Sequence, residues 1–243
     1  MKETKFLIDQ IPAVLYGEPS KRVWLFLHGQ MGHKEEAKAF AHVVCPKGYQ
    51  VLSIDLPGHG ERQKQSATCT PWLIVPELNI VMDWSTARWD TVSLRANSIG
   101  AYFAMLALGS PDKALLVSPI LDMERLILDM MSWANVTEAE LREQGEIATS
   151  FGQVLSWKYL CYVREHPVHD WHCPTCILYA GQDNMTSRQT VEEYTRRHRA
   201  QLTVMDNGEH WFHTPEQLKV LRTWEDSHSS TSQNTARVHQ QRP

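Results

Sequence analysis

Apolar positions along the chain fall into two alternating kinds of segment. Short β-branched or aromatic runs recur, and between them lie longer stretches in which apolar residues return every three or four positions. The run Arg22-Val-Trp-Leu-Phe-Leu-His28 is apolar through its centre, the pattern of a strand covered on both faces. Comparable runs occupy residues 50–55, 91–96, 113–118, 175–180 and 201–205. Helical composition fills 35–45, 99–108, 187–199 and 216–224. Such alternation predicts βαβ units and an α/β fold, with a doubly wound, mostly parallel sheet. Residues 5–8 and 13–16, separated by Ile11-Pro12, read as an antiparallel hairpin entering that sheet.

Two intervals break the rhythm. Residues 119–174 are too long for a simple crossover, and their helical patterns, among them Leu121, Arg125, Leu128 and Met131, predict a small helical lid insertion. The apolar residues of 120–133, with Phe151, Leu155, Trp157 and Tyr159, are expected to be mostly the insertion's own core and its footing on the sheet, the rest available to roof a pocket. From Ser227 onward the only apolar residues are Ala236 and Val238, which predicts disorder. The expected organisation is therefore one α/β domain over 1–226, carrying a lid at about 119–174, and a tail over 227–243.

Composition narrows the function classes. The 243 residues carry 24 Lys+Arg and 28 Asp+Glu, a formal charge of −4, which argues against non-specific nucleic-acid binding. The longest apolar run, residues 101–108, falls far short of the roughly 20 residues of a membrane span. The opening MKETKFLIDQ has no apolar h-region, so a cleaved signal peptide is not expected. Five cysteines, an odd count, predict reduced thiols and a cytoplasmic location. The oligomeric state is not specified by any of these.

The strongest local signal is Val92-Ser-Leu-Arg-Ala-Asn-Ser98-Ile-Gly-Ala101. A serine stands where a predicted strand becomes a helix, with small residues, Ala96 and Gly100, two positions either side. A nucleophile elbow needs that pattern, because strand and helix approach closely around a strained residue. Upstream lie His28-Gly-Gln-Met-Gly32 and Asp55-Leu-Pro-Gly-His-Gly60, each after a strand. Downstream, Gly181-Gln-Asp183 follows one strand and Asp206-Asn-Gly-Glu-His210 follows the last. A serine hydroxyl needs a base, and the base an orienting acid.

Together these motifs resemble the serine α/β-hydrolase superfamily, carboxylesterase-like members with a small helical lid, over residues 20–225. One departure is Ala96 where the family pattern Gly-x-Ser-x-Gly has its first glycine. The resemblance implies Ser98 as nucleophile, His210 as base and Asp183 as acid, with the backbone N–H groups of Gln30 and Ile99 forming the oxyanion hole. It implies ester cleavage through an acyl-enzyme, with a small-molecule acyl substrate, no nucleic-acid partner and no cofactor. A serine nucleophile argues against the dehalogenase and epoxide-hydrolase branches. Thioesterase, amidase, peptidase and acyltransferase chemistry fit the same triad, and a non-catalytic binding protein is the reading from another class.

Rival assignments stay open at this level. Asp183 has a plainer reading as a helix cap, Asp122 is a rival acid, and His213 is a rival base that suits a helix start with Thr214-Pro215. His166, His169 and His172 with Cys173 and Cys176 offer zinc-ligand types, but Cys176 falls in a predicted strand, so no metal is expected. Arg95 is an unexpected charge in a central strand, for which an acid at the sheet edge is the expected partner.

Overall fold

The computed structural model describes residues 1–64, 69–109, 111–168 and 171–230. In chain order its strands are β1 (Glu3–Ile8), β2 (Ile11–Tyr16), β3 (Arg22–Leu27), β4 (Gln50–Ile54), β5 (Thr91–Asn97), β6 (Ala114–Val117), β7 (Glu146–Ala148), β8 (Val154–Ser156), β9 (Thr175–Ala180) and β10 (Gln201–Met205). Its helices are α1 (Ala37–Val44), α2 (Pro71–Thr86), α3 (Ser98–Ala107), α4 (Met123–Trp133), α5 (Glu138–Gln144), α6 (Trp157–Glu165), α7 (Arg188–His198) and α8 (Pro215–His228). Eight strands form one sheet in the order β1-β2-β4-β3-β5-β6-β9-β10. The hairpin β1–β2 joins it antiparallel, and every pairing from β4 to β10 is parallel.

The period-two alternation of a strand divides the core into two layers. Val23, Leu25 and Leu27 of β3, Leu94 and Ala96 of β5, and Ile177 of β9 face Ile74, Leu78 and Val81 of α2, Ala101 and Ala104 of α3, and Val191 of α7. Trp24, Phe26, Leu115 and Leu178 face the other way, onto Phe40 and Val44 of α1 and Trp224 of α8. Both faces are covered, which is why these strands read as continuous apolar runs.

Three elements escaped the sequence pattern. Helix α2 buries Pro71, Ile74, Leu78, Val81 and Ser85, a helical spacing, but Pro76 inside it obscures the signal. Strands β7 and β8 have three residues each and pair as an antiparallel ribbon inside the insertion. Helix α8 continues to His228, past the expected start of the tail, while residues 231–243 lie outside the described residues. The insertion between β6 and β9 packs Met123, Leu126, Ile127 and Met131 of α4, with Leu141, Leu155, Leu160 and Val163, into the same core layer as α2 and α3. Phe151 and Trp133 are exposed and stack edge-on at 6.0 Å. Among the described residues no helix is long and apolar enough to cross a membrane.

Candidate active site

Ser98 follows β5 directly and opens α3 with a φ of +48°, a left-handed backbone that a non-glycine residue adopts only under constraint. The constraint is close packing. A Cβ on Gly100 would stand 2.4 Å from the carbonyl oxygen of His28, so only glycine lets α3 rest against the end of β3. Ala96 is fully buried between Leu27 and Leu116, so the extra methyl of the family departure is accommodated. The carbonyl of Ser98 accepts from the Ile120 N–H at 3.2 Å, which ties the elbow to the segment after β6.

The other two residues arrive on loops stitched to each other. Gly181 N–H donates to Met205 O at 2.8 Å and Gln182 N–H to Gly208 O at 2.9 Å. A Cβ on Gly181 would lie 2.3 Å from Asp206 O, so this approach also requires glycine. Across the join, Asp183 Oδ2 accepts from His210 Nδ1 at 2.8 Å, and His210 Nε2 stands 2.8 Å from Ser98 Oγ. Asp183 Oδ1 accepts from the N–H groups of Met185 at 2.7 Å and Thr186 at 3.1 Å. Three donors converge on an ionised carboxylate, so the proton belongs on Nδ1 and the Nε2 lone pair faces the serine hydroxyl. The Asp183 side chain is fully buried and that of His210 is 9% exposed. Thr186 is fixed in turn by its hydroxyl, which donates to Pro119 O at 2.9 Å, and by Tyr179, which donates to Thr186 O at 2.9 Å.

Helix α3 presents its first turn uncapped. Asn97 precedes it, but its side-chain oxygen accepts from Arg95 Nη1 at 2.6 Å instead of capping the helix. The Ile99 N–H therefore lies among the unpaired donors at the positive end of the helix dipole. The loop of His28, Gly29 and Gln30 runs beside it, since a Cβ on Gly29 would be 3.3 Å from Ser98 Cβ. His28 itself is buried: its Nδ1–H donates to Gly29 O at 2.8 Å and its Nε2 accepts from the Leu56 N–H at 3.2 Å. Burial pulls its pKa down to about 4, so it serves as a neutral brace for the loop.

The rival assignments separate cleanly in space. Asp122 caps α4 by accepting from Arg125 N–H at 2.9 Å, and His213 sits beside Glu209 at 3.4 Å just before the α8 capping box of Thr214 and Gln217. Asp183 does make the turn bonds of a capping residue, but with one oxygen only. Cys173 packs in the core layer of α2 and α3 and Cys176 in that of α1 and α8, so the two sulfurs lie on opposite faces. His169 lies outside the described residues. All five cysteines are free thiols.

Arg95 finds its partner in the interior, not at the sheet edge. Its Nε donates to Glu225 of α8 at 2.8 Å, and its guanidinium lies 5.4 Å from the Phe26 ring. No sequence signal points from position 95 to position 225.

The two most exposed large apolar side chains among the described residues are Met31 at 87% and Trp211 at 68%, which directly follow Gln30 and His210. A separate cleft, lined by Gly17, Pro19, His42, Cys45 and Tyr49, opens at the amino end of the parallel strands, away from Ser98. Nine buried side-chain polar atoms, the hydroxyls of Thr70, Tyr102 and Tyr159 among them, have no hydrogen-bond partner among the described residues, a condition that typically costs about 1–3 kcal/mol each.

No protein-family model matches the chain, and no curated protein sequence matches it. Solved structures do. Est1E from Butyrivibrio proteoclasticus, with ferulic acid bound, superposes with a TM-score of 0.70 at 15% identity, over 92% of this chain and 96% of that one. Alpha/beta hydrolase domain-containing protein 10 from mouse gives 0.70 at 14% identity, over 93% and 98%. The esterase Pf2001 from Pyrococcus furiosus gives 0.61 at 16% identity, over 92% and 90%. At such identity the likeness speaks to architecture, and with the strand order and the elbow it establishes that the chain has the α/β-hydrolase fold.

Proposed function

We propose that the protein is a serine hydrolase that cleaves carboxylic esters through an acyl-enzyme intermediate. The observation that carries this is the unbroken line from Asp183 through His210 to a strained Ser98, with both hydrogen bonds at 2.8 Å. Ser98 Oγ attacks the ester carbonyl as His210 Nε2 takes its proton, and Asp183 stabilises the resulting imidazolium. The negative charge that develops on the carbonyl oxygen is met by the N–H groups of Gln30 and Ile99, one such donor being worth about 3–4 kcal/mol in related enzymes. Collapse expels the alcohol with the proton returned by His210. Water, deprotonated by the same imidazole, then attacks the acyl-enzyme and releases the acid.

The esterases among the similar structures are in line with ester chemistry. Met31 and Trp211, exposed beside the oxyanion loop and the base, support an apolar substrate. Five unpaired thiols fit a reducing compartment, the cytoplasm.

The test is direct. A fluorophosphonate probe labels wild type and not Ser98→Ala, and p-nitrophenyl esters of graded acyl length are turned over with a loss of about 10⁴-fold or more in that variant. Absence of both labelling and turnover would move the protein to the class of non-catalytic binding proteins. Faster turnover of thioesters or amides than of matched esters would reassign the reaction while leaving the triad in place.

A further inference from the structure

The order of strands lets one short segment reach both ends of the triad. Strand β6 lies between β5, which leads into Ser98, and β9, which leads toward Asp183. The chain leaves β6 at Ser118, whose φ of +41° turns it sharply and whose N–H donates to Leu178 O of β9 at 2.9 Å. Pro119 and Ile120 follow, both buried, and form the root from which the helical insertion grows. On one side the Ile120 N–H donates to Ser98 O at 3.2 Å. On the other, Pro119 O accepts from the Thr186 hydroxyl at 2.9 Å, a bond between residues 67 positions apart.

The Thr186 bond closes a circuit. The Thr186 N–H donates to Asp183 Oδ1 at 3.1 Å, Asp183 Oδ2 accepts from His210 Nδ1 at 2.8 Å, and His210 Nε2 stands 2.8 Å from Ser98 Oγ. From Ser98 O the line returns through Ile120 and Pro119 to Thr186. Thr186 is 5% exposed, and its carbonyl also accepts from the Tyr179 hydroxyl at 2.9 Å. Valine has the same branched shape and would leave the Thr186 N–H in place, so what threonine adds at this position is the tether to Pro119. The tether matters because the acid rides on a short turn, and a misplacement of about 1 Å in such a constellation can cost about 10²-fold in rate.

We propose that Thr186 is a positioning residue: its hydroxyl moors the turn of Asp183 to the root of the insertion, so that the same two residues, Pro119 and Ile120, hold acid and nucleophile in register on His210. Thr186 acts through Asp183, not on the substrate. Its role rests on the reading of Ser98, His210 and Asp183 as a catalytic triad.

The experiment compares Thr186→Val with Thr186→Ser, which keeps the hydroxyl. On a p-nitrophenyl ester Thr186→Val lowers kcat about fivefold to tenfold at unchanged KM, the loss of one buried hydrogen bond expressed in the transition state, and Thr186→Ser recovers most of it. In Asp183→Asn protein the same Thr186→Val change costs less than about twofold, because the group it aligns is already gone. A second arm needs no turnover: a two-bond proton–nitrogen correlation spectrum of the His210 ring, assigned by its absence in His210→Gln, reads which nitrogen carries the proton. Wild type and Thr186→Ser show the Nδ1–H form, and Thr186→Val shows it mixed with the Nε2–H form. An unchanged kcat in Thr186→Val overturns the assignment, and so does an equal loss in the Asp183→Asn background or a His210 ring identical in wild type and Thr186→Val. If wild type neither cleaves an ester nor takes the fluorophosphonate, the esterase reading falls, and the ring spectrum alone decides the role of Thr186.

Discussion

Replacing Glu225 by glutamine removes one charge from a pair that the fold has taken almost entirely out of water. Arg95 is 2% exposed and Glu225 3%, and they meet at 2.8 Å between β5 and α8. Burial is the largest influence on both, lowering the pKa of the guanidinium and raising that of the carboxyl, while each partner opposes the change in the other. In Glu225→Gln the shape persists and the amide oxygen can still accept from Nε, but the guanidinium loses its buried counter-charge, with the Asn97 oxygen, the faces of Phe26 and Phe40 and the more remote charge of Glu36 as its other company. Removing one member of a buried pair costs about 3–5 kcal/mol. At about 2–4 °C per kcal/mol for a chain of this length, the melting temperature falls by about 10 °C. Arg95→Met combined with Glu225→Leu removes both desolvated charges together and is expected to lie within about 1 kcal/mol of wild type. Differential scanning calorimetry on wild type, Glu225→Gln, Arg95→Met, Glu225→Leu and the double variant measures both the single loss and the cycle. A fall below about 3 °C for Glu225→Gln, or a double variant as unstable as the single one, would refute the reasoning.

Other expectations follow from the site itself. Asp183→Asn leaves His210 without a carboxylate and lowers kcat about 10⁴-fold, whereas Asp122→Asn, still a good helix cap, leaves steady-state turnover of a p-nitrophenyl ester unchanged; undiminished activity in Asp183→Asn would sink the acid assignment. His28 is held neutral in the fold, with a pKa of about 4 against 6.5 in the unfolded chain, so acid favours unfolding through it. Its contribution is complete above pH 6.5 and erodes as pH falls toward 4, by about 3 kcal/mol in all, which urea titrations of wild type and His28→Gln across that range will read as a difference in slope. Trp211→Ala exposes no core and is expected to raise KM several-fold for esters of apolar alcohols with little change in kcat; an unaltered KM for all alcohols would exclude the indole from substrate contact.

The legible part of the fold was the part written in periodicity. Strands β9 and β10 occupy the residues their apolar runs predicted, and helices α3 and α7 differ from expectation by one residue at each end. Helix α2 was illegible because Pro76 interrupts a pattern that the packing of Ile74, Leu78 and Val81 nevertheless sustains. The ribbon β7–β8 was illegible because three residues are too few to show an alternation. At the site, local turn chemistry marked Ser98, the family resemblance supplied the roles of Asp183 and His210, and the structure brings the three into one hydrogen-bonded line. What supports that line was hidden: Tyr179 and Thr186 behind the acid, and Arg95 and Glu225 behind the elbow.

The sequence by itself therefore determined the element types, the alternation of strand and helix, and the turns on which the chemistry-bearing residues ride. These depend on neighbours within a few positions, through backbone sterics and the two- and 3.6-residue periods of burial. Only the tertiary structure decided which acid meets His210 and where Arg95 finds its counter-charge. Those outcomes depend on the order of strands in the sheet and the seating of the insertion, which bring together residues separated by 27 positions in one case and 130 in another. Pairing over such distances leaves no periodic trace in the chain, because it is selected by desolvation and packing after the local elements exist.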